Sequence, residues 1–145
     1  MWRVARGYVV STVASARPDK DAGRLAQLHQ QRRVLVVEDD YMIASLLADE
    51  LNEFGYVVIG PADNLTDAIA VASGSVLDGA LIDIALRGES ALPVAQILMD
   101  RNIPFAFMTG ESEGAEGTFQ DVPVLLKPFT VEELRLALER ILTTN

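Results

Sequence analysis

Five polar residues stand at the ends of short apolar runs, where buried strands would give way to solvent. They are Glu38, Asp39, Asp83, Thr109 and Lys127. Three carboxylates within a few ångströms of one another raise each other's pKa or require a cation. A lysine adds a mobile positive charge, and a threonine adds a hydroxyl donor. A carboxylate nucleophile with these partners has the groups needed to receive a phosphoryl group as an acyl phosphate.

The composition restricts any metal site to oxygen ligands. The chain has no cysteine, and its single histidine is His29, so thiolate sites and sites built on several imidazoles are excluded. Oxygen ligands favour magnesium or calcium, and magnesium usually takes one or two carboxylates together with water and phosphate oxygens. We therefore predict a magnesium site at Glu38, Asp39 and Asp83.

Each of these residues also has an ordinary structural explanation. Glu38, Asp39 and Asp40 could cap the helix that follows them, and for Asp40 we prefer the cap. An acid at position 83 is harder to explain this way, because it interrupts a buried run and needs a partner. Thr109 and Lys127 are individually common at strand ends. The order of all five along the chain, and their shared position at strand ends, favour a site.

The elements that would position these residues alternate along the chain. Apolar runs and alternation predict strands over 34–37, 56–59, 80–84, 105–108 and 122–126. Helical spacing predicts helices between them, the first ending at Gly55 and the last beginning with a capping box of Thr130 and Glu133. Gly60-Pro61 would close the second strand, and residues 110–121 form either a loop or a weak fourth helix.

Alternating strands and helices predict an α/β fold in which a doubly wound five-stranded parallel sheet has the order 2-1-3-4-5. The ligand site of such a sheet lies at the carboxyl ends of the strands, where the first and third strands are neighbours. The five polar residues are expected at that edge.

The charge divides the chain of 145 residues into two parts. Residues 1–33 carry a net charge of +5, and residues 34–145 carry −14. We predict a basic N-terminal arm over 1–32, flexible or a short helix, and one domain over 33–145. An acidic domain repels nucleic acid. The arm resembles a secretory signal only weakly, because its apolar stretch is broken by Ser11 and Thr12, and no apolar run is long enough to span a membrane. We therefore expect a cytoplasmic protein.

Other phosphate-handling classes fit poorly. The sequence contains neither a P-loop nor a Gly-x-Gly-x-x-Gly turn. A haloacid-dehalogenase-type phosphatase would need a second aspartate two residues after the nucleophile, where this chain has Ala85. A conventional enzyme with an external small-molecule substrate is therefore not expected.

Four segments resemble the sequence motifs of two-component receiver domains, over residues 33–142. They are Val36-Val37-Glu38-Asp39-Asp40, Leu81-Ile82-Asp83-Ile84-Ala85-Leu86, Met108-Thr109-Gly110 and Leu126-Lys127-Pro128-Phe129. The resemblance implies that Asp83 is the phosphoacceptor. It further implies that Asp39 binds Mg²⁺ directly, that Glu38 acts mainly through bound water, and that the carbonyl of Ala85 completes the protein ligands.

The same resemblance implies that Thr109 and Lys127 contact the phosphoryl group and that the Lys127–Pro128 bond is cis. Residues 105–110, Phe-Ala-Phe-Met-Thr-Gly, further resemble the so-called FATGUY branch of single-domain receivers. That branch has an aromatic residue where this chain has Ser112, and the more common receivers have one where this chain has Val124. The route from phosphorylation to a partner is therefore left open.

The functional expectation is a single-domain response regulator, with no output domain after Asn145. It would take a phosphoryl group from a histidine kinase or phosphotransfer protein and signal by protein contact, or act as a relay or sink. We expect a monomer or weak homodimer without nucleic-acid or membrane partners. The alternative is a receiver-fold interaction module that works without phosphorylation. Retention of all five site residues favours the first.

Overall fold

The structure, a computed structural model, describes residues 32–110 and 119–143. The arm predicted over 1–32 lies outside these residues except for Arg32, as does the greater part of the segment 110–121, including Ser112. The strands are β1 (Arg33–Val37), β2 (Val57–Ala62), β3 (Gly79–Asp83), β4 (Ala85–Leu86), β5 (Glu89–Ser90), β6 (Phe105–Thr109) and β7 (Val124–Leu126). The helices are α1 (Tyr41–Phe54), α2 (Leu65–Gly74), α3 (Leu92–Asp100) and α4 (Val131–Leu142).

Five strands form one parallel sheet in the order β2-β1-β3-β6-β7. Counted among the sheet strands, this is the predicted order 2-1-3-4-5. The first strand, β1, lies between β2 and β3, with Val34 opposite both Val58 and Gly79. The carboxyl ends of all five strands therefore meet at one edge.

Helices cover both faces of the sheet, because both faces of its strands are apolar. One buried cluster joins α1 and α4 to alternate strand residues; it includes Leu47, Leu51, Leu134 and Leu138 with Val34, Val36, Leu81, Ala106 and Met108. The other cluster joins α2 and α3 to the remaining strand residues; it includes Ala68, Ala72, Val94 and Leu98 with Leu35, Val37, Ile82 and Phe107. No helix within 32–110 or 119–143 is long and apolar enough to cross a membrane.

The ends of the helices next to the site have the capping residues that were predicted from the sequence. Asp40 caps α1, since its side chain accepts hydrogen bonds from the backbone N–H groups of Met42 and Ile43. The helix ends at Gly55, which adopts φ 98°, a conformation that a residue without Cβ reaches at little cost. The capping box of Thr130 and Glu133 begins α4, as expected.

The second strand differs from the prediction. Gly60 and Pro61 were expected to end it, but β2 continues through them to Ala62. The pairing with β1 shifts at this point, so that both residues bulge outward between two paired positions. An outer strand tolerates proline there, because it needs hydrogen bonds on one side only.

The third strand was predicted one residue too far along the chain, at 80–84 instead of Gly79–Asp83, and the hairpin after it was missed. β3 ends at Asp83, and β4 and β5 then pair as an antiparallel hairpin. Arg87 and Gly88 form its two-residue turn with φ 49° and 81°, the positive φ values that a twisted hairpin turn requires. The last strand, β7, is shorter than predicted because it starts at Val124 rather than 122.

Candidate functional site

The three predicted carboxylates lie together at the carboxyl edge of the sheet. Glu38 and Asp39 follow β1, and Asp83 ends the neighbouring strand β3. Each offers a carboxylate oxygen, and these oxygens lie within 4.8 Å of one another. Three hard oxygen donors at this spacing suit a divalent cation such as Mg²⁺. The residues present thus fit the predicted metal.

Glu38 is the most deeply buried member of the cluster, with 1% of its surface exposed. Its Oε2 accepts a hydrogen bond from the backbone N–H of Asp40 at 3.1 Å. Burial raises the pKa of Glu38 to about 7, because a desolvated carboxylate favours its neutral form, and Asp83 adds to the rise. The hydrogen bonds from Lys127 and Asp40 act in the opposite direction.

Lys127 bridges the two ends of the cluster. Its Nζ donates to Glu38 Oε1 at 2.7 Å and to Asp83 Oδ2 at 3.0 Å. Burial alone would lower the pKa of Lys127, but the hydrogen bonds to Glu38 and Asp83 and the negative charges of these two carboxylates together outweigh burial and raise it. The ammonium group is therefore charged at neutral pH and offsets part of the negative charge of the carboxylates.

Thr109 lies at the same edge and is linked to Lys127 by a backbone hydrogen bond. It ends β6, which lies between β3 and β7, and its carbonyl accepts the N–H of Lys127 at 2.7 Å. This bond ties the threonine directly to the lysine. The Lys127–Pro128 peptide that follows is cis, as the resemblance implied.

The β4–β5 hairpin closes over the cluster from the side of β3. The N–H of Ala85 donates to Asp83 Oδ1 at 3.2 Å. At the turn, the N–H of Arg87 donates to Asp39 Oδ2 at 2.8 Å. The Arg87 guanidinium reaches further, with Nε 2.9 Å from the carbonyl oxygen of Asp63 and Nη2 3.0 Å from its Oδ2. The hairpin thus contacts residues that follow both β1 and β2.

Arg87 and Asp63 were not among the predicted site residues. One signal was present in the sequence, because Asp63 follows the second strand as Asp39 follows the first. A hydrogen bond from Asn64, together with Arg87, holds the pKa of Asp63 below its usual value. Both residues line a cavity of about 380 Å³ that also borders Glu38, Asp39, Tyr41 and Pro61.

Of the two positions where other receivers have an aromatic residue, Val124 lies within the described residues and Ser112 lies outside them. Val124 begins β7, with 39% of its surface exposed, and is not aromatic. Ser112 lies in the stretch that the structure does not describe. The assignment to the FATGUY branch stays a prediction.

Comparison with known proteins gives a consistent result. The family model for the response regulator receiver domain matches residues 34–139 of this chain. The solution structure of SdrG from Sphingomonas melonis Fr1 superposes with a TM-score of 0.70 at 38% identity, covering 78% of this chain and 98% of that one. The BeF3-activated conformation of SdrG from Pseudomonas melonis Fr1 gives 0.67 at 37% identity, covering 79% and 98%.

Among curated proteins, the transcriptional regulatory protein YrkP of Bacillus subtilis (strain 168) is 36% identical over 109 residues, which is 70% of this chain and 46% of YrkP. The chain spans about half the length of the curated relatives it matches. The family match covers most of the chain and includes every strand that contributes to the carboxylate cluster. The chain therefore belongs to the family of response regulator receiver domains.

Proposed function

We propose that Asp83 accepts a phosphoryl group from a histidine kinase or phosphotransfer protein, in a reaction that depends on Mg²⁺. The observation that carries this proposal is the Lys127 ammonium group, which lies 3.0 Å from Asp83 Oδ2 inside a cluster of three carboxylates. A nucleophile, a positive charge and a metal-binding donor set within one site are what phosphoryl transfer to a carboxylate needs.

Glu38, Asp39 and Asp83 would hold the cation, and the receiver resemblance adds the carbonyl of Ala85. When bound, Mg²⁺ would neutralise charge that develops on the phosphoryl oxygens. The fit rests on the donor set itself, three carboxylate oxygens within 4.8 Å. Partial neutralisation by Lys127 alone leaves the cluster negative.

Asp83, Lys127 and Thr109 have different roles in the transfer. A carboxylate oxygen of Asp83 bonds to phosphorus while the bond from phosphorus to the donor's imidazole nitrogen breaks. That nitrogen keeps the electron pair of the broken bond. Lys127 is held beside the acceptor oxygen, where its flexible side chain can bring the ammonium group into contact with the oxygens of the transferred phosphoryl group. Thr109, joined to Lys127 through the backbone, would donate its hydroxyl to them.

The proposed output is protein contact, or a relay or sink for phosphoryl groups, in the cytoplasm. SdrG, at 37% identity, has a BeF3-activated conformation, which supports activation at the equivalent site here. We propose no turnover of an external small molecule, only self-phosphorylation and dephosphorylation. A monomer or weak homodimer is expected, and exposed Val124 and Leu126 on β7 are candidates for weak pairing.

Incubation with acetyl phosphate or phosphoramidate and Mg²⁺, followed by intact mass spectrometry, tests the proposal. The protein should gain one phosphoryl group, and Asp83→Asn should gain none. Asp100→Asn, at an exposed carboxylate that accepts a hydrogen bond from Gln96, is the matched control and should label like wild type. A wild-type protein that gains no mass would favour the phosphorylation-independent interaction module instead. Equal labelling of Asp83→Asn would show that Asp83 is not the acceptor.

A further inference from the structure

Arg87 connects three parts of the molecule at the carboxyl edge of the sheet. It belongs to the hairpin that follows β3, its backbone N–H bonds to Asp39 after β1, and its guanidinium bonds to Asp63 after β2. Since the sheet order is β2-β1-β3, the turn of the hairpin must pass across the end of β1 to make all these contacts. The hairpin is thereby tied down on the far side of the carboxylate cluster.

The backbone conformation at Arg87 is one that does not favour arginine. Its φ is 49°, in the left-handed region where asparagine and glycine are favoured and other side chains are strained. A strained residue at a tight turn points to a role for its side chain. Here that side chain makes two hydrogen bonds to Asp63.

The contact is too exposed to matter for global stability. The side chains of Arg87 and Asp63 are 59% and 53% exposed, and ion pairs between exposed side chains contribute little to the stability of a fold. Its effect is therefore local. The local structure it touches is the hairpin that carries Ala85 and bonds to Asp39 and Asp83.

We propose that Arg87 is a positioning residue whose ion pair with Asp63 holds the β4–β5 hairpin across the carboxylate cluster and so strengthens binding of the divalent cation. The inference rests on the proposed function for its metal-binding part. Two contacts carry it: the N–H of Arg87 fixes Asp39 Oδ2, and the N–H of Ala85 fixes Asp83 Oδ1. Groups that orient metal ligands in this way affect metal affinity without touching the metal.

The decisive variant is Arg87→Asn. Asparagine suits the turn and keeps the backbone N–H, so only the link to Asp63 is lost. We expect the Kd for Mg²⁺, measured by calorimetry on the full chain, to rise by roughly three- to tenfold. This increase is larger than the loss of an ordinary surface ion pair would cause and no larger than the smallest effect of removing a group bonded directly to a metal ligand. In the metal-free protein, amide hydrogen exchange over 85–90 should become faster.

Two further variants separate the ion pair from other effects. Asp63→Asn should weaken Mg²⁺ binding to a similar degree, and the double variant should be no weaker than either single one, since both remove the same link. Arg135→Asn is the matched control, because Arg135 is also a partly exposed arginine paired with carboxylates, and its partners belong to α4 and not to the carboxylate cluster. It should bind Mg²⁺ like wild type.

Wild-type Mg²⁺ affinity and unchanged exchange over 85–90 in both Arg87→Asn and Asp63→Asn would overturn the inference. Additive losses in the double variant would overturn it as well, because the two side chains would then act separately. Failure of the proposed function looks different: the wild-type protein would neither bind Mg²⁺ nor label Asp83. In that case the exchange comparison in the metal-free protein still decides whether Arg87 holds the hairpin.

Discussion

At the scale of single residues, Lys127 links two of the three carboxylates of the site. Lys127 donates to Glu38, which is 1% exposed, and to Asp83. Burial raises the pKa of Glu38, while the two carboxylates raise the pKa of Lys127. The lysine therefore contributes twice, as a stabilising partner in the metal-free protein and as the positive group beside the acceptor oxygen.

Lys127→Met separates these contributions. It keeps the length and apolar stem of the side chain but removes the charge. Phosphorylation of Asp83 by acetyl phosphate should slow by about 100-fold, the cost of losing one electrostatic donor in such a site. Without Mg²⁺, the free energy of unfolding in urea should fall by roughly 1.5–3 kcal/mol for each of the two hydrogen bonds to charged groups that are lost. Labelling at the wild-type rate would show that the lysine has no part in the transfer.

At the scale of elements, α1 carries a concentration of acids that the site does not use. Glu50 is 4% exposed, with Asp49 and Glu53 near it on the same helix. Burial raises the pKa of Glu50, and repulsion from Glu53 and Asp49 adds to the rise. An acid whose pKa is raised in the folded state binds its proton more tightly there than in the unfolded chain, so its ionisation destabilises the fold as pH increases.

Glu50→Gln should therefore stabilise the protein at neutral pH and lose this effect as pH falls below the ordinary pKa of glutamate. The gain at pH 7 should be at least about 0.2–0.5 kcal/mol, the size of one like-charge pair three positions apart on a helix. Urea unfolding at pH 7 and pH 4 measures it, with exposed Glu89→Gln in the hairpin as the control. A loss of stability at both pH values would mean that the Glu50 carboxylate is a favourable group in the fold.

Strong local patterns made most elements predictable. The apolar run before Glu38, the cap at Asp40 and the capping box of α4 each rest on a few adjacent residues, and each appears in the structure. The continuation of β2 through Gly60 and Pro61 was not predictable, because it depends on a bulge in the pairing with β1. The hairpin was missed because strands of two residues are too short to show alternation.

The shared position of the five residues at one edge of the sheet was predictable, but their contacts were not. The sequence indicated which residues share an edge, since parallel strands end together. It could not show that Lys127 bonds to Glu38 as well as to Asp83. Lys127 and Glu38 lie 89 positions apart in the chain, and the distance between their side chains follows from packing. Arg87 was missed for a related reason: its role depends on the direction of a turn.

At the scale of the whole molecule, the acidity of the domain predicts that cations stabilise its fold. The full chain has a formal net charge of −9, and three carboxylates meet at one edge with Lys127 beside them. A ligand that binds only the folded state adds stability in proportion to the logarithm of its concentration above Kd. Magnesium should therefore act on the whole fold through this one site.

We expect millimolar Mg²⁺ to raise the Tm, with a stabilisation of roughly 2.7 kcal/mol at a concentration of 100 times Kd. Asp83→Asn without Mg²⁺ should have a higher Tm than wild type, because one repelling charge is gone. The same variant should respond less to Mg²⁺. Differential scanning calorimetry with EDTA and with Mg²⁺ measures all three. A Tm that ignores Mg²⁺ in the wild-type protein would count against a metal site at this edge.

The strand order also determines when the site can first exist during synthesis. The bonds from Lys127 to Asp83 and to Glu38 span 44 and 89 positions of the chain, and the strand pairs of the five-stranded sheet are parallel. Such distant contacts form late in folding. A nascent chain that has already exposed Asp83 to the ribosome's surroundings still lacks the lysine and the strand that delivers it. The proposed acceptor therefore lacks its lysine partner until position 127 has been synthesised and has left the ribosome.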